Sequence, residues 1–266
     1  MVWTVRMFLI CLSSIFLLNA CQNTEDETQK TGSLAPKKEG ERQSMESQPF
    51  DDPFALESEQ FNDIETVNGD MEIQNPDNVQ VLVNSEYTLP EDYEPDDLAA
   101  PDVSFSFDED IAQRYVREPA AEALENLFED ASESGHKLFA ISGYRSYERQ
   151  ETLFTAAAEE EGEETASETL AAPGNSEHQT GLAMDVSSES NNFQLNTAFA
   201  NTDEGEWLDD HAHEHGFIIR YPEGKEEITG ISYEPWHLRY VGEEIAEVLH
   251  ENDLTLEEFF EQTEQI

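Results

Sequence analysis

Three short segments of this chain carry side chains that could hydrolyse a bond with the help of a metal ion. They are residues 142–146 (SGYRS), 176–185 (SEHQTGLAMD) and 234–237 (EPWH). Together they supply two imidazoles and a carboxylate suited to one zinc ion, a further carboxylate close to the last imidazole, and an arginine. A catalytic zinc ion has three protein ligands and an open position for water, whereas a structural zinc ion is fully enclosed by protein ligands. Each segment alone is a weak signal, and the combination indicates a catalytic zinc site.

The spacing of the candidate ligands predicts how the chain brings them together. His178 and Asp185 are seven residues apart, with Gly181 between them. The chain can turn at the glycine and continue as a strand, which places the imidazole and the carboxylate at one point. His237 must then join from a distant segment, as is normal for a site that the fold assembles.

The same segments resemble those of a known family, the VanY-type D-alanyl-D-alanine carboxypeptidases, zinc peptidases that trim bacterial cell-wall peptides. The resemblance extends from residue 78 to the C terminus, and its matching segments follow the family's order. They are residues 82–84 (LVN), 89–93 (LPEDY), 142–150, 173–178, 207–208, 216–222 (GFIIRYP) and 234–242. The resemblance implies an α+β fold, with a mostly antiparallel sheet flanked by helices.

The resemblance also implies a role for each chemical group. By this resemblance His178, Asp185 and His237 are the zinc ligands, and Zn²⁺ is the cofactor. Glu234 takes the place of the general base, since zinc lowers the pKa of bound water and a carboxylate delivers the proton to the leaving amine. Arg145 corresponds to the residue that polarises the scissile carbonyl and stabilises the oxyanion. The alternative role for Arg145 is a structural ion pair.

Pro235, Ser176 and Gln150 are three further positions that bear on the predicted site. Glu234 precedes His237 by three residues, and positions three apart on a straight strand face opposite sides. Pro235 therefore predicts a bend that turns the carboxylate of Glu234 toward the metal. Ser176 and Gln150 are predicted to contact the terminal carboxylate or the peptide of the substrate. The alternative for both is simple hydrogen bonding within a loop or a helix.

A second group of histidines lies outside these segments. Within residues 211–215 (HAHEH), His211 and His215 are four residues apart, a familiar spacing for metal ligands on a helix. The order of the His-Glu-x-x-His motif is absent, however, and the family has a packing helix at this place. We therefore assign this group to a helix surface.

The N-terminal residues 1–20 have the layout of an export signal. A positive start precedes an apolar run at residues 7–18, which is too short to span a bilayer comfortably. Residues 18–21 (LNAC) resemble a bacterial lipoprotein processing site, so Cys21 is predicted to carry a lipid anchor. An ordinary signal peptide is the alternative. Cys11 falls within the signal, so the exported chain is predicted to contain no disulfide.

Composition divides the rest of the chain in two. Residues 21–77 are rich in Glu, Asp, Gln, Ser and Asn and contain few aromatic residues. Such a segment buries too little apolar surface to offset its chain entropy. We therefore predict a disordered acidic linker at residues 21–77 and the catalytic domain at residues 78–266.

The charge of the chain is strongly negative. Its formal net charge is −48, from 61 acidic and 13 basic residues. Nucleic acid and anionic membrane surfaces would be repelled, so neither is a predicted partner. A solvated acidic surface suited to a salty medium is favoured over a cation-binding role. Four of the few arginines, Arg145, Arg149, Arg220 and Arg239, stand in or beside the matched segments.

The hydrophobic pattern predicts the elements of the domain. Strands are predicted at residues 79–83, 138–142, 182–186, 217–219 and 236–240, the last near the end of the sheet. Helices are predicted at residues 119–134, 147–160, 205–215 and 243–251, and a capping box at residues 255–258 (TLEE) predicts a final helix. Because helices and strands do not alternate regularly, this pattern also indicates an α+β domain.

These observations predict a monomeric zinc carboxypeptidase, lipid-anchored to the outer face of the bacterial cytoplasmic membrane. Its predicted partners are peptidoglycan stem peptides, whose terminal D-Ala-D-Ala bond it would hydrolyse. The alternatives with the same machinery are an L,D-carboxypeptidase that acts on the tetrapeptide and a wall endopeptidase. The alternative from another class is a non-catalytic wall-binding or zinc-binding lipoprotein. Glu234 and Arg145 count against that class, because binding alone would not need them.

Overall fold

The computed structural model describes residues 52–266. The predicted signal peptide, Cys21 and residues 22–51 of the predicted linker lie outside the described residues. Within residues 52–266, no helix combines the length and the apolar character needed to cross a membrane.

The described residues form eleven strands and seven α-helices in an α+β fold, as predicted. The strands are β1 (Ala55–Leu56), β2 (Ile64–Val67), β3 (Asp70–Ile73), β4 (Tyr87–Thr88), β5 (Leu98–Ala99), β6 (Val116–Arg117), β7 (Leu138–Ser142), β8 (Ala183–Ser188), β9 (Phe217–Tyr221), β10 (Glu234–Tyr240) and β11 (Glu264–Gln265). The helices are α1 (Glu118–Glu133), α2 (Tyr147–Glu161), α3 (Glu163–Thr169), α4 (Asp203–His211), α5 (Glu226–Thr229), α6 (Glu243–Asn252) and α7 (Leu256–Gln262).

A four-stranded antiparallel sheet, in the order β7-β8-β10-β9, positions the site. β10 is the last but one strand in this order and lies between β8 and β9, so the prediction that it stands near the end of the sheet is confirmed. An inner strand has neighbours on both edges, and its central residues, including His237 and Leu238, are buried. The order of the strands brings β8 and β10 side by side, although about fifty residues of sequence separate them.

Helix α1 packs against the core that covers this sheet. Its buried residues Ala120, Leu124, Leu127 and Ala131 recur every three or four positions, which places them on one helical face. Pro119 stands in the first turn, where a missing N–H leaves no intrahelical hydrogen bond unmade. The predicted helix is therefore confirmed.

Most of the other predicted elements are also confirmed. Strands β7, β8, β9 and β10 and helices α2, α4 and α6 begin within two residues of their predicted starts. The capping box before α7 is present: the Thr255 hydroxyl accepts from the Glu258 N–H, and the Glu258 carboxylate accepts from the Thr255 N–H. These elements have strong local signals, which is why the pattern alone locates them.

Residues 52–77 are folded, so the predicted linker extends too far toward the C terminus. β2 and β3 pair antiparallel across a turn at Asn68 and Gly69, both with positive φ. Ile73 is fully buried in the main core, and Leu56 packs into a second core with residues of α6 and α7. The prediction from average composition is wrong for these residues because a few apolar side chains, buried in the two cores, anchor an otherwise polar segment.

Residues 79–83 do not form the predicted strand, although the apolar residues 81–83 are buried. Side chains take the place of a partner strand. The amide of Asn62 donates to the carbonyl of Leu82 at 2.7 Å and accepts from its N–H at 3.0 Å. The guanidinium of Arg239 donates to two further carbonyls of the segment. The backbone is thus satisfied without a ladder.

Candidate active site

The three predicted zinc ligands converge at one point. Asp185 on β8 stands directly opposite His237 on β10 in the antiparallel register. His178 comes from a 3₁₀ turn, Glu177–Thr180, that leads into β8. One ligand atom from each of the three residues lies within 4.8 Å of the others, and all three side chains are buried. Two imidazole nitrogens and a carboxylate oxygen at this separation fit one zinc ion.

The turn that carries His178 depends on Gly181, as the spacing predicts. Gly181 ends the turn with φ +67°, in the left-handed region that favours glycine. A Cβ at this position would lie 2.9 Å from Cγ of Arg117 and 3.0 Å from Cδ2 of Leu98. Both the backbone conformation and the available space therefore call for glycine between the two ligands.

A backbone carbonyl fixes the orientation of His178. Its Nδ1 lies 2.8 Å from the carbonyl oxygen of Gly143, which can only accept, so Nδ1 carries the proton. Nε2 then presents its lone pair toward Asp185, whose Oδ2 is 3.4 Å away. Burial lowers the pKa of His178, which favours the neutral ring that a metal requires.

His237 faces the cluster with its other nitrogen. Nδ1 lies 3.0 Å from Oδ1 of Asp185, and Nε2 lies 3.4 Å from Oε2 of Glu177. Burial lowers the pKa of His237, but the hydrogen bonds to Asp185 and Glu177 outweigh burial and raise it to about 9. A metal ion that binds Nδ1 must therefore displace a proton.

Glu234 stands at the beginning of β10, where the pairing with β9 is irregular. The register shifts between Glu234 and Leu238, and such a bulge changes which way the side chains point. As a result, Oε2 of Glu234 lies 3.8 Å from Nδ1 of His237, as the predicted bend beside Pro235 requires. Burial raises the pKa of Glu234 to about 7. A pKa near the working pH is the one that suits a general base.

Gln150 holds Arg145 in place. The guanidinium donates to Oε1 of Gln150 at 2.9 Å and to the hydroxyl of Ser142 at 3.4 Å, both neutral groups. Within residues 52–266, the arginines that form ion pairs are Arg117, Arg220 and Arg239, and Arg145 is not among them. Gln150 is fully buried, and its amide nitrogen donates to the carbonyl of Ala171. Both ends of the Gln150 amide are therefore used within the protein, and direct substrate contact by Gln150 stays a prediction.

The ligand cluster opens into a cavity of about 210 Å³. Its wall includes Arg145, Ser176 and Glu234 together with the apolar residues Leu195 and Ile231. Gln150 also contributes to the wall. The structure thus brings the predicted catalytic groups and the predicted substrate contacts to one cavity.

The histidines of residues 211–215 serve three separate contacts. His211 hydrogen-bonds the carbonyl of Trp207 at 2.8 Å and stacks on the indole. His213 stacks on His250 of α6 with ring centroids 3.6 Å apart, and His215 lies 3.1 Å from an aspartate of α1. In the described part of the chain, the ligand cluster above is the one group of His, Asp and Glu whose atoms converge. The predicted helix is confirmed as far as His211, whereas residues Ala212–His215 form a 3₁₀ turn. The three histidines are half-buried rather than on the surface.

Sequence reasoning missed Glu177, which lies between two predicted site residues. Its side chain is buried, and Oε1 accepts from Nε of Arg220 at 2.7 Å and from Arg239 at 2.6 Å. Burial would raise the pKa of Glu177, but the two arginines and His237 hold it well below its usual range. The signal was present in the sequence: arginines beside the motifs of so acidic a chain need a carboxylate partner.

Comparison with known proteins identifies the family. A family model described as VanY, D-alanyl-D-alanine carboxypeptidase, matches residues 113–243, which include all the site residues above. The predicted carboxypeptidase YodJ of Bacillus subtilis (strain 168) is 51% identical over 250 residues, 92% of this chain and 92% of YodJ. The chain belongs to the VanY family. A D-alanyl-D-alanine carboxypeptidase of Enterococcus faecium is 36% identical over 148 residues, 55% of this chain and 44% of that protein.

Solved structures agree with this assignment. The solved chain of the LdcB LD-carboxypeptidase is 56% identical with a TM-score of 0.78, and the match covers 80% of this chain and 100% of that chain. A mutant of the vancomycin resistance D,D-pentapeptidase VanY, solved in complex with Zn(II), is 32% identical with a TM-score of 0.56. The match covers 68% of this chain and 98% of the solved VanY chain. The predictions of the family, the fold and a zinc-dependent peptidase are therefore confirmed.

Proposed function

We propose that this VanY-family enzyme removes the C-terminal D-alanine from peptidoglycan stem peptides. The observation that carries this proposal is the convergence of His178, Asp185 and His237 beside Glu234 and Arg145 in one cavity. A three-ligand cluster beside a carboxylate of raised pKa is the arrangement that metal-assisted peptide hydrolysis needs.

His178 would hold Zn²⁺ through Nε2, His237 through Nδ1, and Asp185 through a carboxylate oxygen. A bound zinc ion supplies a water whose pKa is lowered to about 7 and polarises the scissile carbonyl. Burial would raise the pKa of Asp185, but the two histidines hold it well below its usual range, so Asp185 brings a negative charge to the metal. This charge offsets part of the cost of burying a dication.

Glu234 acts as the general base and then as the general acid. Its pKa of about 7 leaves a large ionised fraction at neutral pH, so the carboxylate can take a proton from the attacking water. The same group, once protonated, delivers the proton to the amine of the departing D-alanine. Its carboxylate lies close to the ligand cluster without being part of it.

Arg145 supplies the positive charge that an anionic substrate requires. The substrate of a carboxypeptidase carries a free carboxylate, and a buried anion needs charged or hydrogen-bonding partners. Arg145 lines the cavity and its guanidinium is hydrogen-bonded to neutral groups, so its charge can meet an anionic substrate. We assign to Arg145 the stabilisation of the oxyanion, and to Ser176, which also lines the cavity, a contact with the terminal carboxylate.

Two bonds of the stem peptide are candidates for cleavage by this enzyme. The family description and the D,D-pentapeptidase relative support the D-Ala-D-Ala bond, which the sequence-based reasoning favours. The LdcB LD-carboxypeptidase supports the bond that joins the single D-alanine of the tetrapeptide to an L-centre. LdcB is 56% identical to this chain, against 32% for the D,D-pentapeptidase. We therefore propose L,D-cleavage as the first candidate and D,D-cleavage as the second.

Mass spectrometry of defined stem peptides tests this choice. The zinc-loaded protein is incubated with the tetrapeptide, with the pentapeptide, and with C-terminally amidated forms of both as controls. We expect the tetrapeptide to lose one D-alanine faster than the pentapeptide, and amidation to slow both strongly because it removes the carboxylate. Exclusive cleavage of the pentapeptide would put D,D-cleavage first. An internal cut would overturn the carboxypeptidase proposal in favour of the endopeptidase alternative.

The cellular place of the enzyme is a further proposal. Residues 18–21 (LNAC) support a lipid anchor at Cys21 on the outer face of the cytoplasmic membrane, where stem peptides are exposed.

A non-catalytic binding protein, the alternative from another class, is less well supported. Binding alone gives no reason for a carboxylate of raised pKa beside the ligand cluster.

A further inference from the structure

A buried network of charged side chains lies at the Nε2 edge of the His237 ring. Oε2 of Glu177 is 3.4 Å from Nε2, and Oε1 of the same carboxylate accepts from both Arg220 and Arg239. Glu177, Arg220 and Arg239 are each no more than 1% exposed. Burying three charged groups is costly unless each is paired and hydrogen-bonded, as these are.

We propose that Glu177 is a positioning residue of the metal centre, which selects the nitrogen of His237 that faces the metal. A carboxylate can only accept, so it favours the tautomer with a proton on Nε2. The lone pair then lies on Nδ1, which is the nitrogen 3.0 Å from Asp185. This inference rests on the proposed role of His237 as a zinc ligand.

The two arginines hold this carboxylate in one orientation. They occupy Oε1 from two directions, which leaves Oε2 for His237. Arg220 also binds Glu257 of α7 through two hydrogen bonds of 2.9 and 2.6 Å. Arg239 reaches carbonyls within residues 79–83. The two arginines therefore fix the carboxylate directly, and an outer partner fixed in this way typically contributes about 10–100-fold to metal affinity.

Glu257 offers a matched control, because it has the same chemistry without the contact to His237. It is a largely buried carboxylate that accepts from Arg220 through both oxygens. If Glu177 had a structural role alone, removing the charge from either glutamate would lower stability and would affect zinc binding equally. If Glu177 positions His237, the two variants will separate in zinc affinity.

The test compares Glu177→Gln with Glu257→Gln in the full chain. In E177Q the oxygen of the new side-chain amide would face the arginine donors, so its NH₂ group would face Nε2 of His237 and favour the wrong tautomer. At a pH above 9, where the His237 ring carries no competing proton in the wild type, competition with a chelating dye should show a zinc Kd raised about 10–100-fold in E177Q and unchanged in E257Q. The visible spectrum of the Co²⁺-loaded protein, which reports the ligand set, should change in E177Q alone. An unchanged Kd in E177Q, or equal weakening in both variants, would overturn the proposal.

Two further variants keep the outcome interpretable. Should E177Q fail to fold, the double variant Glu177→Met, Arg239→Met removes the carboxylate with one of its arginines and leaves Arg220 paired with Glu257. Its zinc Kd should rise by the same factor, and an unchanged Kd would again overturn the proposal. His237→Ala separates this inference from the proposed function. Unchanged zinc binding in H237A would show that His237 is not a ligand, whatever Glu177 does.

Discussion

The affinity for zinc should rise with pH, because His237 must lose a proton before Nδ1 can bind a metal. Burial opposes protonation of this ring, but its hydrogen bonds to Asp185 and Glu177 raise the pKa to about 9. Below pH 9 the ring is a cation and zinc competes with the proton, whereas above pH 9 this competition ends. Between pH 7.5 and 8.5, Glu234, with a pKa of about 7, is already mostly ionised. His178, whose pKa is lowered, is already neutral.

The magnitude follows from a single competing proton. With a pKa of about 9, the factor 1 + 10^(9 − pH) falls from about 33 at pH 7.5 to about 4 at pH 8.5. The zinc Kd should therefore fall at least about eightfold over this unit of pH, and ionisation of the metal-bound water adds to the fall.

Competition with a chelator of known pH dependence measures the Kd, and calorimetry in two buffers of different ionisation enthalpy counts the protons released. The chelator alone, titrated at each pH, is the control. A Kd that does not change between pH 7.5 and 8.5, with no proton release, would show that His237 does not lose a proton when zinc binds.

Three further predictions concern the metal, the charge and the anchor. His178→Ala should lose most of the roughly one zinc per chain expected for a three-ligand site, and full zinc content by metal analysis would remove His178 from the ligand set. The melting temperature should rise in about 1 M sodium chloride, where screening over about 3 Å relieves repulsion among the 61 acidic residues; a fall would contradict this. Cys21→Ser should abolish labelling by radioactive fatty acid, and persistent labelling would place the anchor elsewhere.

The ligands of the site could be predicted because local sequence carries both their chemistry and part of their geometry. His178 and Asp185 lie in one short segment, and the turn at Gly181 has the left-handed backbone that its glycine indicates. The irregular pairing that brings Glu234 to His237 was likewise signalled by a proline in the strand. These residues meet because β8 and β10 are neighbours in the sheet.

The features that the sequence did not reveal depend on distant partners. Glu177 acquires its contacts only when Arg220 and Arg239 arrive from β9 and β10. The segment 79–83 looks like a strand by its apolar run, but side chains of Asn62 and Arg239 replace the ladder. The folded part of residues 52–77 depends on the packing of single apolar residues against α6, α7 and the main core. No average over composition records such contacts.

The decisive test of general-base catalysis by Glu234 is the rate at which the Glu234→Gln variant releases D-alanine, at a zinc content matched to the wild type. The amide preserves the shape of the side chain but cannot take a proton from water, and Glu234 is not one of the converging ligands. We expect zinc content to be unchanged and the rate of D-alanine release from stem peptides to fall by about 10²–10⁴-fold. A near-wild-type rate in E234Q, or no release of D-alanine by the fully zinc-loaded wild type, would contradict the account.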